Sequence, residues 1–316
     1  MDWILVFPGQ GSQKPGMARD LAEAYPAARR VLDEADAAYA PRAGGPLTRL
    51  MFDGPADELT RTENAQPALL AHGAAAWAVV AERIAAGVRA AAGHSLGELT
   101  AYHVAGAFGL ADAVRLVRAR GELMRDTGAG RPGTMAAIIG RPTRSIEEIC
   151  RDAGAAGLVV PANYNTDEQV VVSGEPAGVE RAMVLAREAG AKRAVPLNVS
   201  GAFHSPLMEP AVPGLRSALE TVAWNEPSFP VYSNVDAAPN SSAANARSLL
   251  MRQVTSPVRW ADVVRALARD CPGAAFLELG PGNVLAGLIK RIVPDAVAHS
   301  CGTAADVEKL LTLTTQ

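Results

Sequence analysis

Only three cysteines occur in the 316 residues, Cys150, Cys271 and Cys301, far apart and without a C-x-x-C pair. Neither a disulfide framework nor a thiolate zinc site is expected, and the thiols read as small apolar fillers in a reducing compartment. Net charge is also scarce. A formal charge of -3 and a pI near 6.0 give no whole-molecule attraction to nucleic acid or anionic lipid. No cationic stretch precedes a long apolar one near Met1, so no signal peptide is expected. Nor is an uninterrupted membrane span expected, since even Ala68 to Ala86 carries His72, Glu82 and Arg83. These absences predict a soluble, cytoplasmic protein with no nucleic-acid or membrane partner.

What is present is an ordinary globular composition, 49% hydrophobic and 20% charged, long enough for one large domain or two unequal ones. Ile4 to Phe7 is a short apolar run stopped by Pro8-Gly9-Gln10-Gly11-Ser12, which predicts a buried strand ending in a glycine-rich loop. Val88 to Ala92 is a second such run, followed after Gly93 by a helical stretch from Leu96 to Val104. Leu110, Ala113, Val114, Val117, Gly121 and Met124 recur at helical spacing and predict an amphipathic helix to about Arg125. Its polar face holds Arg115, Arg118, Glu122 and Arg125, whereas Arg120 falls on the margin of the apolar stripe.

Between Gly128 and Asn198 the elements shorten. Met135 to Ile139, Leu158 to Ala162, Gln169 to Ser173 and Ala191 to Val195 read as strands, with helices at Ser145 to Asp152 and Ala177 to Ala189. The order β-α-β-β-α-β is the ferredoxin-like unit, here expected as an insertion at residues 130–198 between two parts of a larger α/β domain. Further on, Val231 to Asn234 and Ala275 to Leu279 read as strands and Val284 to Ile292 as a helix. Pro239 to Ala244, rich in Ser, Asn and Ala, is expected to be a mobile surface loop.

Gly93-His94-Ser95-Leu96-Gly97 is a G-x-S-x-G between a predicted strand and a predicted helix, the setting of a nucleophile elbow. A reversal that sharp leaves no room for side chains beside the serine, and the following helix N-terminus offers free N–H groups to an oxyanion. A serine hydroxyl needs a base, and only five histidines are available. His72 and His299 read as structural or surface residues, His94 points away from its neighbour's hydroxyl, and His103 is two turns along the helix. By elimination the base is His204, in the irregular stretch Gly201-Ala202-Phe203-His204-Ser205-Pro206. The acceptor that orients it cannot be chosen from so many Asp and Glu residues. Gly9-Gln10-Gly11 lacks the third glycine of a dinucleotide loop and fits better as a source of oxyanion donors. Two readings of Arg120 stand side by side: a clamp for an acyl group bearing a carboxylate, or a structural ion pair with a buried Asp or Glu.

Phe7-Pro8-Gly9-Gln10-Gly11-Ser12-Gln13, Gln66-Pro67, Gly93-His94-Ser95-Leu96-Gly97-Glu98, Arg120-Gly121, Gly201-Ala202-Phe203-His204-Ser205 and Gly280-Pro281-Gly282 occur in one order over almost the whole chain. In that ordered set the sequence resembles the malonyl-CoA:acyl carrier protein transacylase family. The resemblance implies an α/β fold: an α/β-hydrolase-like large domain, residues 1–129 and 199–316, with an inserted ferredoxin-like small domain, residues 130–198. It implies Ser95 as the acylated residue, His204 as base and the backbone carbonyl of Gln253 as orienter. The backbone N–H groups of Gln10 and Leu96 would form the oxyanion hole, Arg120 would hold the malonyl carboxylate, and Met124 and Phe203 would line the acyl pocket. No bound cofactor is implied. Malonyl-CoA is the expected substrate and an acidic, phosphopantetheinylated acyl carrier protein the expected partner, received by a basic rim drawn from Arg118, Arg125, Arg131, Lys192 and Arg193.

Leu99-Thr100-Ala101-Tyr102-His103 and the proline-free Asn163 to Glu168 depart from the family's usual pattern and leave fatty-acid and polyketide synthesis both open. Competing readings are an acyltransferase for another acyl group passed between carrier proteins, a hydrolase that clears stalled acyl chains, and a silent carrier-docking module.

Overall fold

The computed structural model describes residues 1–39 and 45–313. The domain limits expected from sequence also take in residues 40–44 and 314–316, which lie outside the described residues. Among those described are ten strands: β1 Trp3–Phe7, β2 Val88–Gly93, β3 Thr134–Ile139, β4 Val159–Thr166, β5 Gln169–Gly174, β6 Arg193–Pro196, β7 Val231–Tyr232, β8 Pro239–Asn240, β9 Ala275–Leu279 and β10 Ala298–Cys301.

Six of them form a sheet in the order β10-β9-β1-β2-β7-β8, parallel except for the final β7–β8 pair. Successive side chains of β1 leave opposite faces. Trp3, Leu5 and Phe7 enter one core with Leu70 and Val114, while Ile4 and Val6 enter another with Trp260, Val264, Leu267 and Ile289. Burial on both faces is why this strand reads as a continuous apolar run and not an alternating one.

The helix Thr62–Ile84 is more apolar than the sequence reading allowed. By length and composition alone the segment Thr62–Gly87 is apolar enough to cross a membrane. It is instead a central element of the first core, packed on the helices Pro26–Tyr39, Leu96–Val104 and Leu110–Gly130. A helix enclosed on most sides needs few polar positions, and several of those it has, Thr62, Glu63, Gln66 and His72, are buried.

The other four strands form a separate antiparallel sheet, ordered β4-β5-β3-β6. Helices Ile146–Ala153 and Pro176–Glu188 pack on it through Ile149, Val179, Ala182 and Ala186 against Ala136, Ile138 and Val172. This is the predicted β-α-β-β-α-β order. Ser145 starts its first helix with a capping box, its hydroxyl accepting from Glu148 N while the Glu148 carboxylate accepts from Ser145 N.

Several limits differ from the sequence reading: β4 runs on to Thr166, past the expected Ala162, and β7 stops at Tyr232, short of the expected Asn234. The helix expected to stop near Arg125 continues to Gly130 through Gly128-Ala129-Gly130. Gly128 is required for a close approach and does not break the helix: a Cβ there would lie 2.3 Å from the Ser200 carbonyl oxygen. Pro239 to Ala244 is not a detached surface loop. Asn240 is buried, pairs with Val231 across β7–β8 and donates to the Tyr102 hydroxyl at 3.0 Å, and Ser242 caps the helix Ala243–Gln253.

Candidate active site

Ser95 lies between the end of β2 and the helix Leu96–Val104, with φ 51° and ψ −105°. A non-glycine residue holds such a backbone only when its surroundings enforce it. Here Asn234, just past β7, does so with both ends of its amide: Oδ1 accepts from Ser95 N at 2.8 Å and Nδ2 donates to Gly93 O at 2.8 Å. The glycines are demanded by contact. A Cβ on Gly93 would lie 1.9 Å from the Gly97 carbonyl carbon, and one on Gly97 would lie 2.0 Å from the Phe7 carbonyl oxygen. Gly-to-Ala exchange inside a helix ordinarily stabilises by about 1 kcal/mol. Gly97→Ala is expected to destabilise by about 2–3 kcal/mol instead, because the obstacle is backbone. Urea denaturation reads this, and an unchanged midpoint would contradict it.

His204, also at positive φ (58°), reaches the serine from the chain segment before the 3-10 turn Pro206–Ala211. Its Nε2 is 2.7 Å from Ser95 Oγ and its Nδ1 is 2.9 Å from the Gln253 backbone carbonyl. A carbonyl only accepts, so Nδ1 carries the proton and Nε2 presents its lone pair to the serine O–H. Burial, and secondarily the Arg120 charge, push the imidazole down to about 3. The ring is therefore neutral at ordinary pH. If acylation draws on this group, its kcat/KM is expected to lack an acid limb near 6.5 and to stay flat from about pH 5 to 8. A stopped-flow profile falling tenfold per pH unit below 6.5 would contradict this. The same shift bears on stability. Between about 3 and 6.5 the unfolded chain binds this proton and the folded chain does not, so the contribution is complete above 6.5 and is lost as pH falls toward 3.

Arg120 is 2% exposed, deeper than the margin of an apolar stripe suggests. Its NH1 donates to Gln66 Oε1 at 2.7 Å, and its NH2 donates to Gln253 Oε1 at 2.9 Å and to Ser95 Oγ at 3.1 Å. No carboxylate among the described residues hydrogen-bonds it, so the direct ion pair weighed from sequence is not formed. A buried acid, Glu98, stands one amide away across Gln253. Burial pushes Arg120 down to about 10, against the pull of Glu98, and the guanidinium stays charged at neutral pH.

Ser95, His204 and Arg120 share a cavity of about 290 Å³ with Gln10, Leu96, Gln66, Met124 and Phe203. That volume is at the small end for ligand sites and suits a short acyl group. Leu96 is the first residue of its helix, so its N–H has no partner within the helix. Gln10 arrives from the loop after β1, where Gly9 packs so closely on the elbow that a Cβ would lie 2.5 Å from the His94 carbonyl oxygen. Met124 Sδ is 3.5 Å from Gln66 Nε2. Of the site residues expected from sequence, Gln10, Ser95, Leu96, Arg120, Met124, Phe203 and His204 line this one cavity at the carboxyl ends of the parallel strands, and Gln253 stands buried behind it, bonded to His204 and Arg120.

The other four histidines are engaged elsewhere: His72 with Gly302 O, His94 with Asn165, His103 with Phe108 O, and His299 edge-on to Trp3. Three of the five expected rim cations are occupied. Arg118 lies over the Tyr39 ring at 4.1 Å and pairs with Glu122, Arg125 pairs with Glu63 and Asp126, and Arg131 pairs with Glu175. Lys192 and Arg193 are exposed and in no ion pair among the described residues. Sequence reasoning missed Asn234 and the side chains of Gln66, Gln253 and Glu98. A run of polar residues directly after a parallel strand, Ser233-Asn234, was the available signal for the first.

A parallel sheet with a serine, a histidine and a buried guanidinium meeting at its carboxyl edge has the layout of an enzyme that works through a serine hydroxyl. Residues 4–311 match the acyl transferase domain family, and the chain belongs to it; it is an acyltransferase. It is 43% identical over 305 residues to the malonyl CoA-acyl carrier protein transacylase of Haemophilus influenzae, covering 96% of each chain. Among solved structures it is similar to the acyl-carrier-protein-S-malonyltransferase of Bartonella henselae, with a TM-score of 0.93, 41% identity and 100% of both chains covered. It is also similar to a malonyl-transacylase solved in complex with its type II polyketide acyl-carrier protein, with a TM-score of 0.92, 40% identity, and 99% of this chain and 100% of that one covered.

Proposed function

We propose that the chain moves a malonyl group from coenzyme A to the phosphopantetheine thiol of an acyl carrier protein through an ester on Ser95. The observation that carries this reading is the placement of Ser95 Oγ 2.7 Å from His204 Nε2 and 3.1 Å from a buried guanidinium without a carboxylate partner among the described residues. The names of the relatives at about 40% identity support it.

Ser95 Oγ attacks the thioester carbonyl as His204 Nε2 takes its proton, while the Gln253 carbonyl holds the Nδ1–H and so keeps the imidazole in the correct tautomer. The N–H groups of Gln10 and Leu96 receive the developing oxyanion. Collapse breaks the C–S bond, and the leaving thiolate takes the proton from His204. The carrier's thiol then enters, loses its proton to His204 and attacks the ester, and the proton returns to Ser95 Oγ. Arg120 turns from Ser95 Oγ to the free carboxylate of the malonyl unit, which it can hold through paired hydrogen bonds. Met124 and Phe203 close the pocket around the short chain. No cofactor takes part, and all the groups needed are side chains and amides of this chain. An adjoining cavity of about 470 Å³, which shares Gln10, His94 and Asn163 with the first, gives the pantetheine arm of either thioester its room. In the same reading residues 1–129 and 199–316 are the catalytic domain and 130–198 the small domain, with the cleft between them. Of the cations expected from sequence to meet an acidic carrier, Lys192 and Arg193 are the two exposed and in no ion pair among the described residues.

Intact-mass analysis separates transfer from hydrolysis. With malonyl-CoA alone the chain is expected to gain one malonyl group and keep it for many minutes, then lose it on addition of a phosphopantetheinylated carrier. Rapid loss to water without carrier would identify a hydrolase, and no gain in mass would defeat the reading.

A further inference from the structure

Glu98 is the least expected residue near the site. It is completely buried in the first turn of the helix Leu96–Val104, yet no Lys or Arg among the described residues pairs with it. Carboxylates are almost never buried unpaired, since removal from water costs several kcal/mol per ion. Oε2 accepts from Gln253 Nε2 at 2.7 Å and from Asn234 N at 3.0 Å, and Oε1 has no partner. Arg120 is the complementary case, a buried cation whose Nε is unpartnered and whose contacts are neutral.

The Gln253 amide stands between the two. Its Oε1 faces Arg120 NH2, and its Nε2 faces Glu98 Oε2 and, at 3.0 Å, the Ser95 carbonyl. A primary amide has two ends of nearly equal shape, and turned over it would set N–H against guanidinium N–H. The acceptors opposite decide which way it lies; Glu98, whose carboxyl burial pushes up to about 7, is the charged one above that pH. With Glu98 ionised, opposite charges at the two ends polarise the amide in one sense, which strengthens both hydrogen bonds.

We propose that Glu98 is a positioning residue for acyl selection: through the Gln253 side chain its carboxylate holds the Arg120 guanidinium in register with Ser95. This rests on the reading that Arg120 receives the carboxylate of the acyl group. Asp236 and Tyr102 are the other titratable groups facing Glu98, and His204 is the other one facing Arg120. A structural role alone, through Asn234 and the helix N-terminus, would affect every acyl donor alike. Positioning through Arg120 affects only donors that carry a carboxylate.

The test compares kcat/KM for Ser95 loading by malonyl-CoA and by acetyl-CoA above neutral pH, where Glu98 is ionised, in the wild type, Glu98→Gln, Arg120→Ala and the double variant. Glu98→Gln keeps an acceptor oxygen and the side-chain shape while removing the charge. It is expected to lower the malonyl-to-acetyl ratio at least about tenfold, and to change that ratio no further, within about twofold, once Arg120 is alanine. Equal losses for both donors, or an unchanged ratio, overturn the proposal. A ratio lowered by Arg120→Ala but not by Glu98→Gln overturns the role of Glu98 and leaves that of Arg120 standing. A ratio that Arg120→Ala leaves unchanged removes both. Should Glu98→Gln fail to fold, Gln253→Met deletes the bridge but keeps the backbone carbonyl that meets His204: a fall in the ratio supports the coupling, and an unchanged ratio overturns it.

Discussion

Replacing His204 by alanine is expected to slow acylation of Ser95 by about 10³-fold or more. No other imidazole can substitute, because His72, His103 and His299 are held by partners elsewhere and His94, though it lines the cavity, has its Nε2 engaged by Asn165. Arg120, the remaining side chain in hydrogen-bond contact with Ser95 Oγ, donates and cannot accept the proton. Loss of the ring leaves the elbow itself intact, since Asn234 and the flanking glycines fix its backbone. The residual rate then reports the oxyanion donors and binding alone. Quenched-flow labelling with malonyl-CoA measures the effect, and a loss smaller than tenfold would mean that another group accepts the proton.

Arg120→Ala is expected to reduce malonyl loading by about 10²–10³-fold while changing acetyl loading by less than about tenfold. A carboxylate brought into a pocket of about 290 Å³ without a cation is a buried unpaired charge, which costs several kcal/mol. An acetyl group meets no such penalty. The substitution also removes the second cause of the low His204 pKa, so the base becomes stronger, an effect that both donors share and that leaves their ratio unchanged. The two donors measured in parallel on one preparation give the ratio, and equal losses for both would place Arg120 in the folding of the site and not in recognition.

Features fixed by local sterics could be read from the sequence. Gly93 and Gly97 flank a serine because backbone atoms fill the space where their Cβ atoms would lie, and that demand is written in five consecutive residues. The β-α-β-β-α-β unit was legible for a similar reason: its elements are short, and each is bounded by its own caps and turns. Arg120 announced itself as a charge too near an apolar stripe. What stayed hidden depends on contacts across long stretches of chain. Asn234 meets Ser95 across 139 residues and Gln253 meets Glu98 across 155, and no periodicity records such pairs. The same holds for Gly128, whose local signal says the helix ends while its contact with Ser200 requires it to continue. Pro239 to Ala244 has the composition of a surface loop, but Asn240 is claimed by Tyr102 on a distant helix.

The claim beneath all of this is that the hydroxyl of Ser95 receives the acyl group. Peptide mapping after exposure to malonyl-CoA tests it most directly. The malonyl increment should fall on the peptide containing Ser95 and vanish in Ser95→Ala; an increment on another residue, or undiminished labelling of that variant, would contradict the account.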